Sequence, residues 1–248
     1  MSTPGGGAGP GAADDTGGGA GPGAADDTGA AESVLQRLLE ERWSCRGYTE
    51  EPVAPEVLER LLTMAGRSPS WCNTQPWHVE VTSGDATVRL REAMAADERF
   101  GPDIEFPASY EGVYAERRRE SGWQLYEAVG VEKGDRAGSA EQMMRNFEFF
   151  GAPHVAIIST SASLGTYGVL DCGLYVQSFL LAAQSLGLGT CAQAALAMRS
   201  EFLREWFGLD DDRRIVCGIA FGHAEQTHPT NSYRTTRVPL SAAVTFHD

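Results

Sequence analysis

The sequence has no surplus of positive charge. Its 20 Lys and Arg face 34 Asp and Glu, for a net charge of −14, so it does not offer the basic face that holds DNA or RNA. No CxxC pair occurs, and the five cysteines, Cys45, Cys72, Cys172, Cys191 and Cys217, are odd in number and widely spaced. That pattern argues against a disulfide framework or a zinc site and for free thiols in a cytoplasmic protein. His78, His154, His223, His228 and His247 are just as scattered, which leaves no metal-ligand spacing. GxGxxG and GxxxxGK followed by Ser or Thr are missing, which excludes the Rossmann dinucleotide motif and the P-loop. HExxH, GxSxG and any persuasive triad are missing too. The N-terminus lacks the cationic start and apolar run of a signal peptide, and its Asp pairs argue against a transit peptide. From Cys172 to Met198 no residue is charged, but Gly187 and Gly189 interrupt the run. The stretch before them is shorter than the roughly 20 residues a bilayer needs.

The segment GGGAGPGAADDT at 5–16 recurs letter for letter at 17–28. It has no aromatic or aliphatic anchors, which predicts a disordered Gly/Ala/Asp tail over 1–30. Residues 31–248 suit one sizeable domain. Val34, Leu35, Leu38 and Leu39 fall at helical spacing, as do Val57, Leu58, Leu61, Leu62 and Ala65 after Pro55, a favoured first-turn residue. Trp77, Val79 and Val81 alternate with His78, Glu80 and Thr82, the period of a half-buried strand. PHVAIIST (153–160) and RIVCGIAFG (214–222) are apolar runs of strand length. Residues 101–148 are charge-rich and read as helical excursions outside the core. On the helix that enters this run, Asp171, Ser178 and Ser185 with Gln177 and Gln184 form a narrow polar stripe on a surface otherwise apolar all round, the mark of a core or subunit-interface helix. Together these elements indicate an α+β domain with its sheet sandwiched by helices.

Two segments carry candidate chemistry. Arg42, Ser44 and Arg46 form R-x-S-x-R after a helix, and in an extended chain alternate residues share a face. Two guanidiniums and a hydroxyl then converge on one anion, for which the planar fork of arginine is suited. The same residues also fit a helix end decorated with cations that favour its dipole. The connector SPSWCNTQPW (68–77) holds two indoles and two amides. Asn73 and Gln75 each offer a donor and an acceptor to the edge of a flat heterocycle, and Trp71 offers stacking area. Trp77, on the strand's apolar face, reads as core.

R-x-S-x-R followed by A-x-x-x-P-S-x-x-N-x-Q-P-W (Ala65 to Trp77), then GLGTCAQ (187–193) after an apolar helix, then NSYRTTRVPL (231–240), resembles the FMN-dependent nitroreductase family in order over about 35–246. The resemblance implies a three-layer α/β/α sandwich with a mixed, mainly antiparallel sheet in a domain-swapped homodimer. It implies FMN held by Arg42, Trp43, Ser44, Arg46 and Arg237, with Cys191, Ala192, Gln193, Ala194 and Ala195 lining the isoalloxazine. Pro69, Ser70, Trp71, Asn73 and Gln75 would form a wall given to the partner's flavin. NAD(P)H would deliver hydride to flavin N5 and be replaced, in ping-pong order, by a nitroaromatic or quinone.

Trp43 stands where many members carry a basic or imidazole side chain, and Thr235 where a lysine often precedes Arg237 by two. Both leave fewer cations near the flavin, which bears on its redox potential. Cys191 reads more simply as a core thiol than as a redox group. In the excursion, Phe106, Tyr110, Tyr114 and Trp123 are expected to cap the flavin as substrate-binding residues, and the Arg117 to Arg119 run to pair with Glu116 and Glu120. The pattern YEGVYAERRRESGWQLYEAVG followed by NFEFFGAP resembles, more softly, the nitrobenzoate-reductase subgroup. Two alternatives stay open on the sequence: a flavin oxidase or dehydrogenase acting on a small natural product, and a ligand-binding module without turnover.

Overall fold

The computed structural model of the chain describes residues 23–247. The repeat as far as residue 22 lies outside the described residues. Helix α1 (Gly23–Glu41) takes in residues 23–30, the end of the stretch expected to be tail. The chain divides into two compact units at Leu38, and the second holds every further element.

Helix α2 (Pro55–Ala65) begins with proline in its first turn and buries Leu61 and Ala65, as its spacing requires. Strand β1 (His78–Ser83) follows the connector, then helix α3 (Asp85–Ala96), which buries Thr87, Leu90 and Met94. Helices α4 (Gly112–Ala128) and α5 (Arg136–Met144) bury no residue, as an excursion outside the core should. Its base is fixed by charge: Asp103 pairs with Arg204 and accepts the Ile215 N–H at 2.8 Å. Strand β2 (His154–Ser161) leads into the long helix α6 (Gly165–Ser185).

Gly187 ends α6. At φ +75° it adopts the left-handed turn in which the Leu188 N–H reaches Ala183 O at 2.9 Å and its own N–H reaches Gln184 O at 3.1 Å. That is a Schellman closure, for which glycine is favoured. The chain turns straight into strand β3 (Gly189–Gln193), followed by helix α7 (Ser200–Phe207) and strand β4 (Arg213–Gly222).

The strands pair antiparallel in the order β1-β2-β4-β3. Alternation along β2 builds two cores. Val155 and Ile157 face a cluster with Leu90 and Met94 of α3 and Phe202 and Leu203 of α7. Ala156 and Ile158 face one with Leu61 of α2 and Cys172, Tyr175 and Phe179 of α6. A sheet of side-chain period 2 buried on both faces favours apolar residues at successive positions, which is why the middle of β2, 155–158, is a continuous apolar run. The result is the expected α/β/α layering. Trp77 joins the second core, its ring 5.2 Å from Tyr175. Among the described residues no helix is long and apolar enough to cross a membrane.

His154 supplies a pH-dependent contact in this core. It is 1% exposed, its Nε2 accepts the Val53 N–H at 3.0 Å, and its Nδ1 meets Ser83 Oγ at 2.8 Å. Nε2 must therefore be unprotonated, and burial holds the ring's pKa below its ordinary 6.5. The unfolded chain takes up this proton first, so the contribution is complete above pH 6.5 and is lost as pH falls through the folded-state value. Thermal melts from pH 8 downward should show stability declining below about 6.5 at up to about 1.4 kcal/mol per pH unit from this residue. His154→Gln should flatten that part of the profile. An unchanged profile would assign the acid sensitivity to carboxylates.

Candidate functional site

The segment after α1 lies beside β3. Ser44 forms a parallel bridge with Thr190, and the Cys45 N–H donates to Thr190 O at 2.8 Å. Cys45 is fully buried and Trp43 packs on the same core, while Arg42, Ser44 and Arg46 are half-buried. Cys45 turns to the core between the half-buried Ser44 and Arg46, and the guanidinium of Arg46 lies 5.8 Å from the ring centroid of Phe150.

Arg237 joins them from the C-terminal tail. Burial and then the field of Arg237 lower the pKa of Arg42, so the two cations share one neighbourhood. Among the described residues no carboxylate pairs with Arg42, Arg46, Arg234 or Arg237. Like charges brought together without a counter-ion cost free energy unless an anion arrives. The donor set, arginine forks plus a serine hydroxyl, fits a phosphate.

Asn231 latches the tail to this segment. It is 5% exposed; its Oδ1 accepts the Arg46 N–H at 2.9 Å, and its Nδ2 donates to Gly47 O at 2.8 Å and Glu225 O at 2.9 Å. Arg46 Nη1 also donates to Tyr233 Oη at 3.2 Å. Thr235, where a lysine was the family expectation, accepts from Arg237 Nη1 through its hydroxyl at 3.1 Å and so orients the arginine. Trp43 is not without a cation either: the guanidinium of Arg234 lies 4.1 Å from its ring centroid. Sequence reasoning named neither Asn231, Tyr233 nor Arg234, although all three lie inside the quoted tail motif.

Along β3, Cys191 and Gln193 are each 2% exposed and point inward. Burial pushes the Cys191 thiol's pKa up, so it is a core thiol. Gln193 Nε2 donates to Asn146 O at 2.9 Å. Ala192 and Ala194 are the exposed members of the set, with Ala195 half-buried, so this wall presents methyl groups and backbone.

The connector is strained. Cys72, Asn73 and Gln75 have φ of +51°, +54° and +45°, a region that costs a non-glycine residue roughly 1 kcal/mol or more. Pro69 is exposed, and Ser70 Oγ accepts the Gln75 N–H at 2.9 Å. The Asn73 side chain is exposed. The Trp71 ring is 60% exposed and rests 4.4 Å from that of Tyr167.

A cavity of about 780 Å³ lies between α4 and the R-x-S-x-R segment, lined by Arg46, Tyr110, Arg118, Arg119, Trp123 and Tyr233 among others. It brings two of the expected substrate residues, Tyr110 and Trp123, to Arg46; Phe106 and Tyr114 do not line it. The expected pairing of the Arg117 to Arg119 run with Glu116 and Glu120 is absent among the described residues. Arg117 and Arg118 lie instead over the rings of Tyr114 and Tyr110, at 6.0 Å and 5.3 Å. The exposed aromatic faces win because an exposed ion pair on a helix contributes only tenths of a kcal/mol.

Comparison with known proteins follows the same lines. A model of the nitroreductase family matches residues 39–223. Nitroreductase NfnB of Mycolicibacterium smegmatis is 34% identical over 215 residues, 85% of this chain and 92% of that protein. A 4-nitrobenzoate reductase of a Nocardioides species is 34% identical over 213 residues, 83% of this chain and 86% of that protein. The crystal structure of the FMN-dependent nitroreductase NfnB from Mycobacterium smegmatis in complex with NADPH superposes with a TM-score of 0.84 at 33% identity, covering 88% of this chain and 100% of that one.

Proposed function

Because the chain belongs to the nitroreductase family, we propose that it is an FMN-dependent oxidoreductase that takes hydride from NAD(P)H and reduces a nitroaromatic or similarly electron-poor acceptor. The observation that carries this reading is the pair of neighbouring guanidiniums, Arg42 and Arg237, with no carboxylate ion pair among the described residues, beside the bridge of Ser44 to β3. Bound FMN supplies the two-electron chemistry.

The chain's part is to bind and to orient. Arg42, Ser44 and Arg237 hold the phosphate and ribityl end, with Trp43 packed behind them and Arg46 at the pyrimidine end. The backbone from Cys191 to Ala195 lines the ring. The 780 Å³ cavity receives the acceptor against Tyr110 and Trp123, where Arg118 suits a ligand with negative charge of its own.

The functional unit is a homodimer in which the connector at Pro69 to Gln75 walls the flavin of the second copy. Its support is the face of α6 bearing Tyr167, Leu170 and Leu174, which are 56%, 55% and 39% exposed in the single chain. An apolar stripe of that kind fits a second copy of itself. The five free thiols suit the cytoplasm.

The test is spectroscopic. Purified protein loaded with FMN should lose its visible flavin band on anaerobic addition of NADPH or NADH and regain it with 4-nitrobenzoate. A band indifferent to both nucleotides would move the assignment to a flavin oxidase or dehydrogenase. Failure to retain FMN would remove the site assignment.

A further inference from the structure

The connector's strain raises the question of what enforces it. Two of its three left-handed residues, Cys72 and Asn73, are consecutive, and none of the three is glycine. Such a conformation persists only where the surroundings over-determine it. Internal hydrogen bonds supply part: the Asn73 N–H donates to Ser70 O at 3.0 Å, the Thr74 N–H to Trp71 O at 3.1 Å and the Gln75 N–H to Ser70 Oγ at 2.9 Å. These close the turn on itself but do not fix where it stands.

The tie to the rest of the domain is Asp171 in α6. Both its carboxylate oxygens accept the Trp71 N–H, at 3.1 and 3.3 Å. One turn earlier on the same helix, Tyr167 receives the Trp71 ring at 4.4 Å. Asp171 is 3% exposed, has no cation partner among the described residues, and is the one charged residue of α6. Burying a carboxylate without a counter-charge is costly, and a helix facing the core has no structural use for one. A charge-assisted bond from a backbone N–H is stronger and more directional than a neutral one, which is what a strained loop needs at its entrance.

We propose that Asp171 is the positioning residue of the cofactor wall: its carboxylate pins Trp71 and thereby sets the left-handed turn that presents Asn73. This rests on the reading of Pro69 to Gln75 as a flavin wall. Asp171 touches neither flavin nor substrate. It acts through the backbone of a residue 100 positions away.

Two readouts on Asp171→Leu and Asp171→Asn test it. The first is hydrogen exchange of the amides at 71–75 in the apoprotein, which needs no cofactor. Asp171→Leu should lose protection there and keep it in the sheet, while Asp171→Asn, which keeps one acceptor oxygen, should retain most of it. The second is FMN affinity by fluorescence titration. Loss of a hydrogen bond to a charged group predicts a Kd raised about tenfold or more in Asp171→Leu and a partial rescue in Asp171→Asn. Unchanged exchange at 71–75 would overturn the proposal, as would altered exchange with wild-type FMN affinity. If the wild-type protein binds no FMN, the flavin reading fails by itself, and the exchange pattern still decides whether Asp171 sets the loop.

Discussion

Arg42→Ala should lower FMN affinity about a hundredfold while leaving the apoprotein as stable as the wild type or slightly more so. A charged hydrogen bond contributes about 1.5–3 kcal/mol, and a bidentate fork on phosphate lies at the upper end, which corresponds to roughly two decades in Kd. The stability half follows from the field of Arg237 on Arg42: removing one of two neighbouring cations relieves their repulsion. The opposite signs are diagnostic, because a residue kept for structure destabilises the fold when it is removed. Arg42→Lys keeps the charge but loses the fork, and should fall between the two. Equilibrium FMN titration with thermal melts of the apoprotein checks both halves. Wild-type affinity with a lowered melting temperature would mark Arg42 as a structural helix-end cation.

Most of the frame was legible because it follows from local rules. Pro55 marks the start of α2, Gly187 marks the end of α6, and the apolar runs became β2 and β4. Periodicity and turn chemistry act over a few residues, so one sequence suffices to read them. Helix α3 went unread: its buried set of Thr87, Leu90 and Met94 is too sparse to stand out as a stripe.

Long-range partners were the other loss. Asp171 reads as part of a polar stripe on a core or subunit-interface helix, but no local pattern names its partner, which is the Trp71 amide. The Arg117 to Arg119 run beside Glu116 and Glu120 invites ion pairs, yet Arg117 and Arg118 lie over tyrosine rings. In the site, the alternation of Arg42, Ser44 and Arg46 was readable. Its attachment to β3 at Thr190 and to the tail at Asn231 was not, since both depend on how distant segments meet.

Asn231→Ala should be the most destabilising single change in the site, and it should also weaken FMN binding. The side chain satisfies three backbone groups at once, the Arg46 N–H and the carbonyls of Gly47 and Glu225, and it does so at 5% exposure. The Arg46 N–H is left unpaired, while the Gly47 and Glu225 carbonyls keep the N–H groups of Glu225 at 3.0 Å and His228 at 3.2 Å, so the cost is about 2 kcal/mol. For a domain of this size that corresponds to a fall of roughly 4–8 °C in melting temperature. Asn231→Asp should not rescue it, because a carboxylate replaces the amide donor that faces the Gly47 and Glu225 carbonyls. The second effect follows from connectivity. Asn231 joins the tail that carries Arg237 to the segment that carries Arg42 and Arg46, so its loss separates the two halves of the phosphate site. Adding FMN should therefore recover little of the lost stability in Asn231→Ala, whereas in the wild type it should raise the melting temperature with the logarithm of ligand excess. An undiminished FMN-induced rise in the variant would show that the tail finds its place without the latch.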